Sequence, residues 1–245
     1  MRATLALAKK ELASFFFAPM AYIVIAAFMV MNGFLFYAIL AFLSQPGAAS
    51  TSPMEIFFGG AFLFFVILMV PAITMRLGAE ERSRGTLETL LTAPISDLEV
   101  VLGKYLAALA LYAAAWLPTL LFVWVLEVYG EVDPGPVFSG YLGVFLVGAL
   151  FLSIGLFTSF LSKNQLVAAI LAFAALALLL YIPAVASVLS TDPTMKAILR
   201  YASFSEALQD FGRGLIDTRA IVFLVSGTAF FLSLARQALE TRRWR

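Results

Sequence analysis

The chain contains no cysteine and no histidine. The first absence excludes disulfides and thiolate metal sites. The second removes the commonest general base and the commonest metal ligand, and with them any Ser–His nucleophile. Charge is scarce too. Only 13% of the 245 residues are charged, about half the share of a soluble domain, while 62% are hydrophobic and the mean hydropathy is +0.98. The longest stretch without a strongly apolar run is roughly 30 residues, too short for a core of its own. A net charge of +1 carries no signal for nucleic acid. No G-x-x-x-x-G-K-[ST] phosphate loop is present, so the chain does not hydrolyse ATP by that route. No cleavable leader is expected: the first apolar run begins near Met20 and exceeds a leader's apolar region of about 7–15 residues.

What the chain does have is long apolar runs. Crossing the ~30 Å hydrocarbon layer takes about 20 apolar residues in a helix. Six stretches qualify: Met20–Leu43, Phe57–Met75, Tyr105–Leu126, Ser139–Leu161, Gln165–Leu189 and the shorter Ala220–Ala235. Five spans and one re-entrant segment is the alternative. The expected fold is an all-α integral membrane protein. Pro71, Pro118 and Pro183 fall inside spans, which is tolerated where neighbouring helices satisfy the freed carbonyls. The fourth span carries Gly140, Gly143, Gly148, Ser153 and Gly155, read as ordinary close packing ahead of a dimer face.

As drawn, no span contains Asp, Glu, Lys or Arg. Proton pumps and ion-coupled carriers keep ionisable groups inside the membrane, so proton coupling is excluded strongly and sodium coupling less so. Intramembrane proteolysis through paired carboxylates or zinc has no support either. Energy for uphill movement therefore has to come from another subunit.

Basic residues orient the chain. With the N-terminus inside, the inner segments hold Arg2, Lys9, Lys10, Arg76, Arg82, Arg84, Lys104, Lys163, Arg236, Arg242, Arg243 and Arg245. The outer segments hold Lys196, Arg200, Arg213 and Arg219, which completes the sixteen. The segment Glu127–Pro136 has three acids and no base, as an outer loop should. Both termini are expected in the cytoplasm.

Three polar segments remain. Residues 1–17 place Leu5, Leu12 and Phe16 on one stripe, with Ala8 and Phe15 beside it and Lys9 and Lys10 toward water, a pattern for an interfacial helix. Residues 190–219 mix apolar and acidic residues and are expected to form one or two amphipathic helices on the outer surface. Trp124, Tyr129, Tyr141 and Trp244 fall near interfaces as aromatic anchors.

The third segment, Glu80–Lys104, carries eight charges in an otherwise apolar chain. Leu87, Leu90 and Leu91 form one helical stripe, with Glu80, Glu81 and Arg84 on the polar side. Ala93-Pro94 stops that helix, because a residue before proline is pushed out of the α region. Ser96-Asp97-Leu98-Glu99 matches a capping box, opening a new helix that runs into the third span. On spacing alone, a well-capped solvated loop explains the segment equally well.

The residue pattern goes further. Glu80, Glu81, Arg82, Gly85, Thr86, Leu87, Glu88, Leu91, Pro94, Ser96, Glu99, Gly103 and Lys104 resemble the loop between the second and third spans of ABC type-2 permeases, the membrane halves of ATP-binding-cassette transporters. That resemblance implies six spans, an interfacial connecting helix (1–17), a coupling loop (78–96) that docks on a separate ATPase, and an extracytoplasmic loop (190–219). It implies a permease in the bacterial cytoplasmic (inner) membrane, an exporter with no enzyme activity and no cofactor of its own. ATP and Mg sit on a partner ATPase dimer, and a second permease, identical or related, completes the assembly. Membrane lipids surround it, and an extracytoplasmic partner is expected at 190–219. In this picture Leu87, Leu90 and Leu91 bury in the ATPase groove, while Glu81, Arg84 and Glu88 pair at its rim. The stretches FGRGLIDTRA and ALETRRWR are similar to the gliding-motility-associated (GldF-type) branch. Two other readings stay open: a device that transmits force or signal across the membrane without cargo, and a scaffold that transports nothing.

Overall fold

The computed structural model describes residues 2–46, 51–83, 85, 95–130, 132–189, 192, 194–195 and 203–243. Among them every regular element is helical: α1 (Arg2–Phe17), α2 (Pro19–Leu43), α3 (Pro53–Ile56), α4 (Leu63–Thr74), α5 (Ala79–Ser83), α6 (Asp97–Trp116), α7 (Leu120–Tyr129), α8 (Pro134–Leu161), α9 (Gln165–Leu189), α10 (Phe204–Gly212) and α11 (Thr218–Arg243). Six helical segments are long and apolar enough to cross a bilayer, matching the six apolar runs in the sequence.

Two spans are interrupted. The second enters through α3 and a π-helical turn, Phe57–Ala61, and breaks at Gly60 (φ 113°) before α4. Glycine tolerates that left-handed conformation at little steric cost. The break lets Phe57, Phe58 and Phe62 all turn inward and become buried. They meet Trp116 and Tyr141 edge-on, with ring centroids 4.9–6.3 Å apart. The third span is broken by a 3₁₀ turn at Leu117–Thr119, around Pro118. Asn32 on α2 is fully buried and donates to Phe28 O, one turn earlier on its own helix (2.8 Å).

The central helix is α8. Its glycines admit four neighbours closely. A Cβ at Gly140 would lie 2.4 Å from the Phe58 ring, one at Gly148 2.3 Å from Tyr112, and one at Gly155 2.4 Å from Thr74 Oγ1. Gly143 receives Phe211 in the same way. Where lipid surrounds the bundle there is little hydrophobic drive between helices, so close backbone approach carries much of their association. The small residues of the fourth span are therefore spent inside this chain, as the sequence reading favoured.

In the segment 190–219 the described helix, α10, is amphipathic as expected, with Gln209 exposed and its apolar face turned inward. Phe204, Leu208 and Phe211 are buried against α8 and the π-helical turn of the second span. Ser139 of α8 donates to Phe211 O, and Arg213 Nε bonds Glu55 Oε1 at 2.8 Å. The physical reason is steric: the interrupted entry to the second span leaves room that a short amphipathic helix fills, with Gly212 tight against the Glu55 carbonyl. Tyr141 differs from the anchor expected at an interface. It packs on Phe58 and shares a hydrogen bond with Thr119 (2.8 Å). Trp124 and Tyr129 are exposed, as anchors are. Trp244 lies outside the described residues.

Candidate functional site

At the opposite end of the bundle from α10, the sequence's charged segment meets α1. The capping box is present. Glu99 N donates to Ser96 Oγ (3.3 Å), and Ser96 N donates back to Glu99 Oε2 (3.3 Å). This satisfies two backbone donors that a helix start otherwise leaves open, and it fixes where α6 begins.

Two turns further on is Lys104. The sequence places it at the edge of the third span, on the inner-loop side. Its side chain is wholly buried, at 0% exposure. A lysine survives burial only with its charge answered. Two carboxylates answer it: Glu81 Oε1 at 2.7 Å and Glu11 Oε1 at 3.2 Å. These belong to three separate elements. Glu11 is on α1, Glu81 on α5 and Lys104 on the third span.

Packing builds the same junction. Gly103 leaves a slot on α6 in which Leu7 of α1 sits, where a Cβ would meet Leu7 Cβ at 3.1 Å and Thr4 O at 3.1 Å. Leu7, Glu11 and Phe15 thus face the bundle, while Leu5 is 57% exposed. The expected stripe of Leu5, Leu12 and Phe16 is rotated, because the Gly103 slot and Lys104 select the face beside it. Lys9 and Lys10 do face outward.

The helix α5 is pinned from the other side by α8. Ser159 Oγ accepts from Gly78 N (3.0 Å) and Ala79 N (3.2 Å), and donates to Met75 O (3.3 Å). Gly78 is required there, since a Cβ would lie 2.7 Å from Phe160. Arg76 and Glu80 pair at 3.7 Å across one turn, and Arg82 donates to Leu161 O at the end of α8 (3.4 Å). The segment then turns at Gly85, with φ 71°.

The structure thus gathers Glu80, Glu81, Arg82, Ser96 and Glu99 at one end of the bundle, and it assigns Glu81 a different place from the one expected. Glu81 is an internal strut to Lys104 rather than a rim charge, because a buried ammonium outcompetes solvent for it. Glu80 and Glu81 both belong to the short helix Ala79–Ser83. Arg84, Thr86, Leu87, Glu88, Leu90, Leu91 and Pro94 lie outside the described residues. The sequence reading missed Glu11, Gly78 and Ser159. Glu11 did leave a signal: it is a charge spaced four residues from both Leu7 and Phe15. Ser159 left none, since a serine near a helix end is ordinary.

A six-span helical bundle, with α1 and the short polar helix α5 both joined to the third span at one end, defines a multi-span membrane protein. Residues 41–235 match the family described as ABC-2 family transporter protein, and the chain belongs to that family. It is a multi-span permease subunit of an ABC transporter and works with an ABC ATPase subunit. Comparison with curated proteins finds no match.

Proposed function

We propose that this chain is the permease half of a bacterial ATP-driven exporter, and that residues 78–96 are where the separate ATPase pushes. The observation that carries this reading is the Lys104 junction. A loop with no mechanical task does not need a fully buried lysine to join it to a spanning helix and to the interfacial helix. In the cycle, ATP binding closes the ATPase dimer and moves the leucine-bearing part of the loop. Glu81 passes the displacement to Lys104 and the third span, Glu11 carries α1 with it, and Ser159 links the same motion to the fourth span. Leu87, Leu90 and Leu91 supply most of the docking energy, since rim pairs such as those of Arg84 and Glu88 add about 0–1 kcal/mol each.

Basic-residue placement supports cytoplasmic termini and puts the loop on the ATPase side. The whole chain then acts as one permease domain, 1–17 being its connecting helix and 190–219 its outer loop. It pairs with a second permease, identical or related, and with two ATPase subunits that hold the ATP and Mg. The tail pattern supports the gliding-motility-associated branch. Reconstituting the chain with its ATPase in vesicles tests the reading. Turnover in the complex should exceed that of the ATPase alone; equal turnover would leave a scaffold instead.

A further inference from the structure

Beside the Lys104 junction an open groove of about 530 Å³ separates the loop from the start of the fifth span. Met75 and Ser83 form one wall; Lys163, Asn164, Gln165 and Leu166 form the other. We infer that this groove binds the phosphate headgroup of an anionic phospholipid, with an acyl chain laid along the outer face of α9.

The charge on the groove is not answered by an acid among the described residues. Lys163 is exposed and has no carboxylate partner among the described residues. Arg82, next to Ser83, spends its guanidinium on the Leu161 carbonyl rather than on an acid. None of the six lining residues is acidic. The Asn164 carbonyl oxygen of the side chain is taken by Leu166 N (2.9 Å), which leaves its amide nitrogen, the Gln165 amide and the Lys163 ammonium as donors on one wall. Ser162, the residue before Lys163, buries its hydroxyl oxygen without a protein partner. Amide and ammonium donors, with no carboxylate among the six lining residues, suit a phosphate. A choline or ethanolamine cation would find no counter-charge there.

The apolar surroundings decide between a lipid and a free phosphate. Leu166 is 66% exposed, and Val167, Ile170 and Leu171 continue the exposed apolar face from the groove along α9. That face lies within a span, so it meets hydrocarbon. A phosphate at Lys163 and a chain on Leu166–Ile170 are the two ends of one phospholipid. Basic pockets between spanning helices bind such headgroups by the same combination. The headgroup would bridge the loop end, at Met75 and Ser83, to the fifth span, and so couple bilayer composition to the loop.

The test needs only the chain and lipid, so it stands or falls separately from the ATPase reading. Purified protein is equilibrated with equal phosphatidylglycerol and phosphatidylcholine, and bound lipid is counted by native mass spectrometry. Wild type should retain phosphatidylglycerol preferentially. Lys163→Glu, and the milder Lys163→Gln, should cut that preference by roughly five- to tenfold. Inorganic phosphate at millimolar concentration should not displace the lipid. Equal retention of both lipids, or an unchanged preference in both variants, overturns the proposal. Displacement by phosphate alone also overturns it, in favour of a free anion.

Discussion

Lys104→Met is expected to cost about 3–5 kcal/mol of stability, the penalty for removing one partner of a buried ion pair. Methionine fills much of the same volume, so the loss is electrostatic. Glu11 and Glu81 would face each other across the site, each less than one-fifth exposed, with no cation between them. Thermal unfolding in detergent reads the effect as a lowered midpoint. The triple variant Lys104→Met, Glu11→Gln, Glu81→Gln removes the uncompensated charge and should recover most of the loss, since neutral replacements of buried ion pairs are often tolerated. A triple variant as unstable as the single one would mean that Lys104 matters for packing and not for charge. The exposed pair Arg213–Glu55, at the other end, makes a contrast: it is solvated, and surface pairs contribute about 0–1 kcal/mol.

The second large effect is expected at Gly148. A single methyl there would lie 2.3 Å from Cε1 of Tyr112, a ring that is fully buried and donates its hydroxyl to Val144 O at 3.2 Å. Tyr112 cannot retreat without disturbing Trp116, 6.2 Å away between ring centroids, and with it the aromatic cluster around the second span. Gly148→Ala should therefore cost about 1–3 kcal/mol or more, as overpacked cores do. Gly33→Ala is the matched control. It too sits within a span, but a Cβ there would meet nothing nearer than Phe122 Cζ at 4.0 Å. Alanine at that site should be neutral or stabilising by up to about 1 kcal/mol, through helix propensity alone. The two substitutions are chemically identical, so unequal unfolding midpoints would isolate the close approach on α8 as the cause.

These two residues also mark where the sequence was legible and where it was not. The six spans were readable because a bilayer imposes length and apolarity on each one independently, with no knowledge of the neighbours. The cap at Ser96 and Glu99 was readable because its partners are three residues apart. Gly148 was readable as a packing residue, though not as the seat of Tyr112. The Lys104 junction was not readable in that way. Its members lie 93 residues apart for Glu11, and their meeting depends on how α1 crosses the third span, which Gly103 and Leu7 decide. Gly60 was hidden for another reason: a glycine in an apolar run is usually harmless, and only its left-handed backbone reveals the break. That break in turn explains which surface the apolar face of α10 packs on, which its amphipathic pattern alone does not specify.

The coupling role proposed for the loop assigns docking to Leu87 and Leu91, and one measurement addresses it directly. The double variant Leu87→Asp, Leu91→Asp is purified with the ATPase subunit and compared with wild type for co-purification, with the unfolding midpoint of the permease recorded in parallel. The expected result is an unchanged midpoint and loss of the ATPase from the complex, because two carboxylates cannot enter an apolar groove without a large desolvation cost. An ATPase that still co-purifies in wild-type amounts, and still turns over at the wild-type rate, would contradict the account.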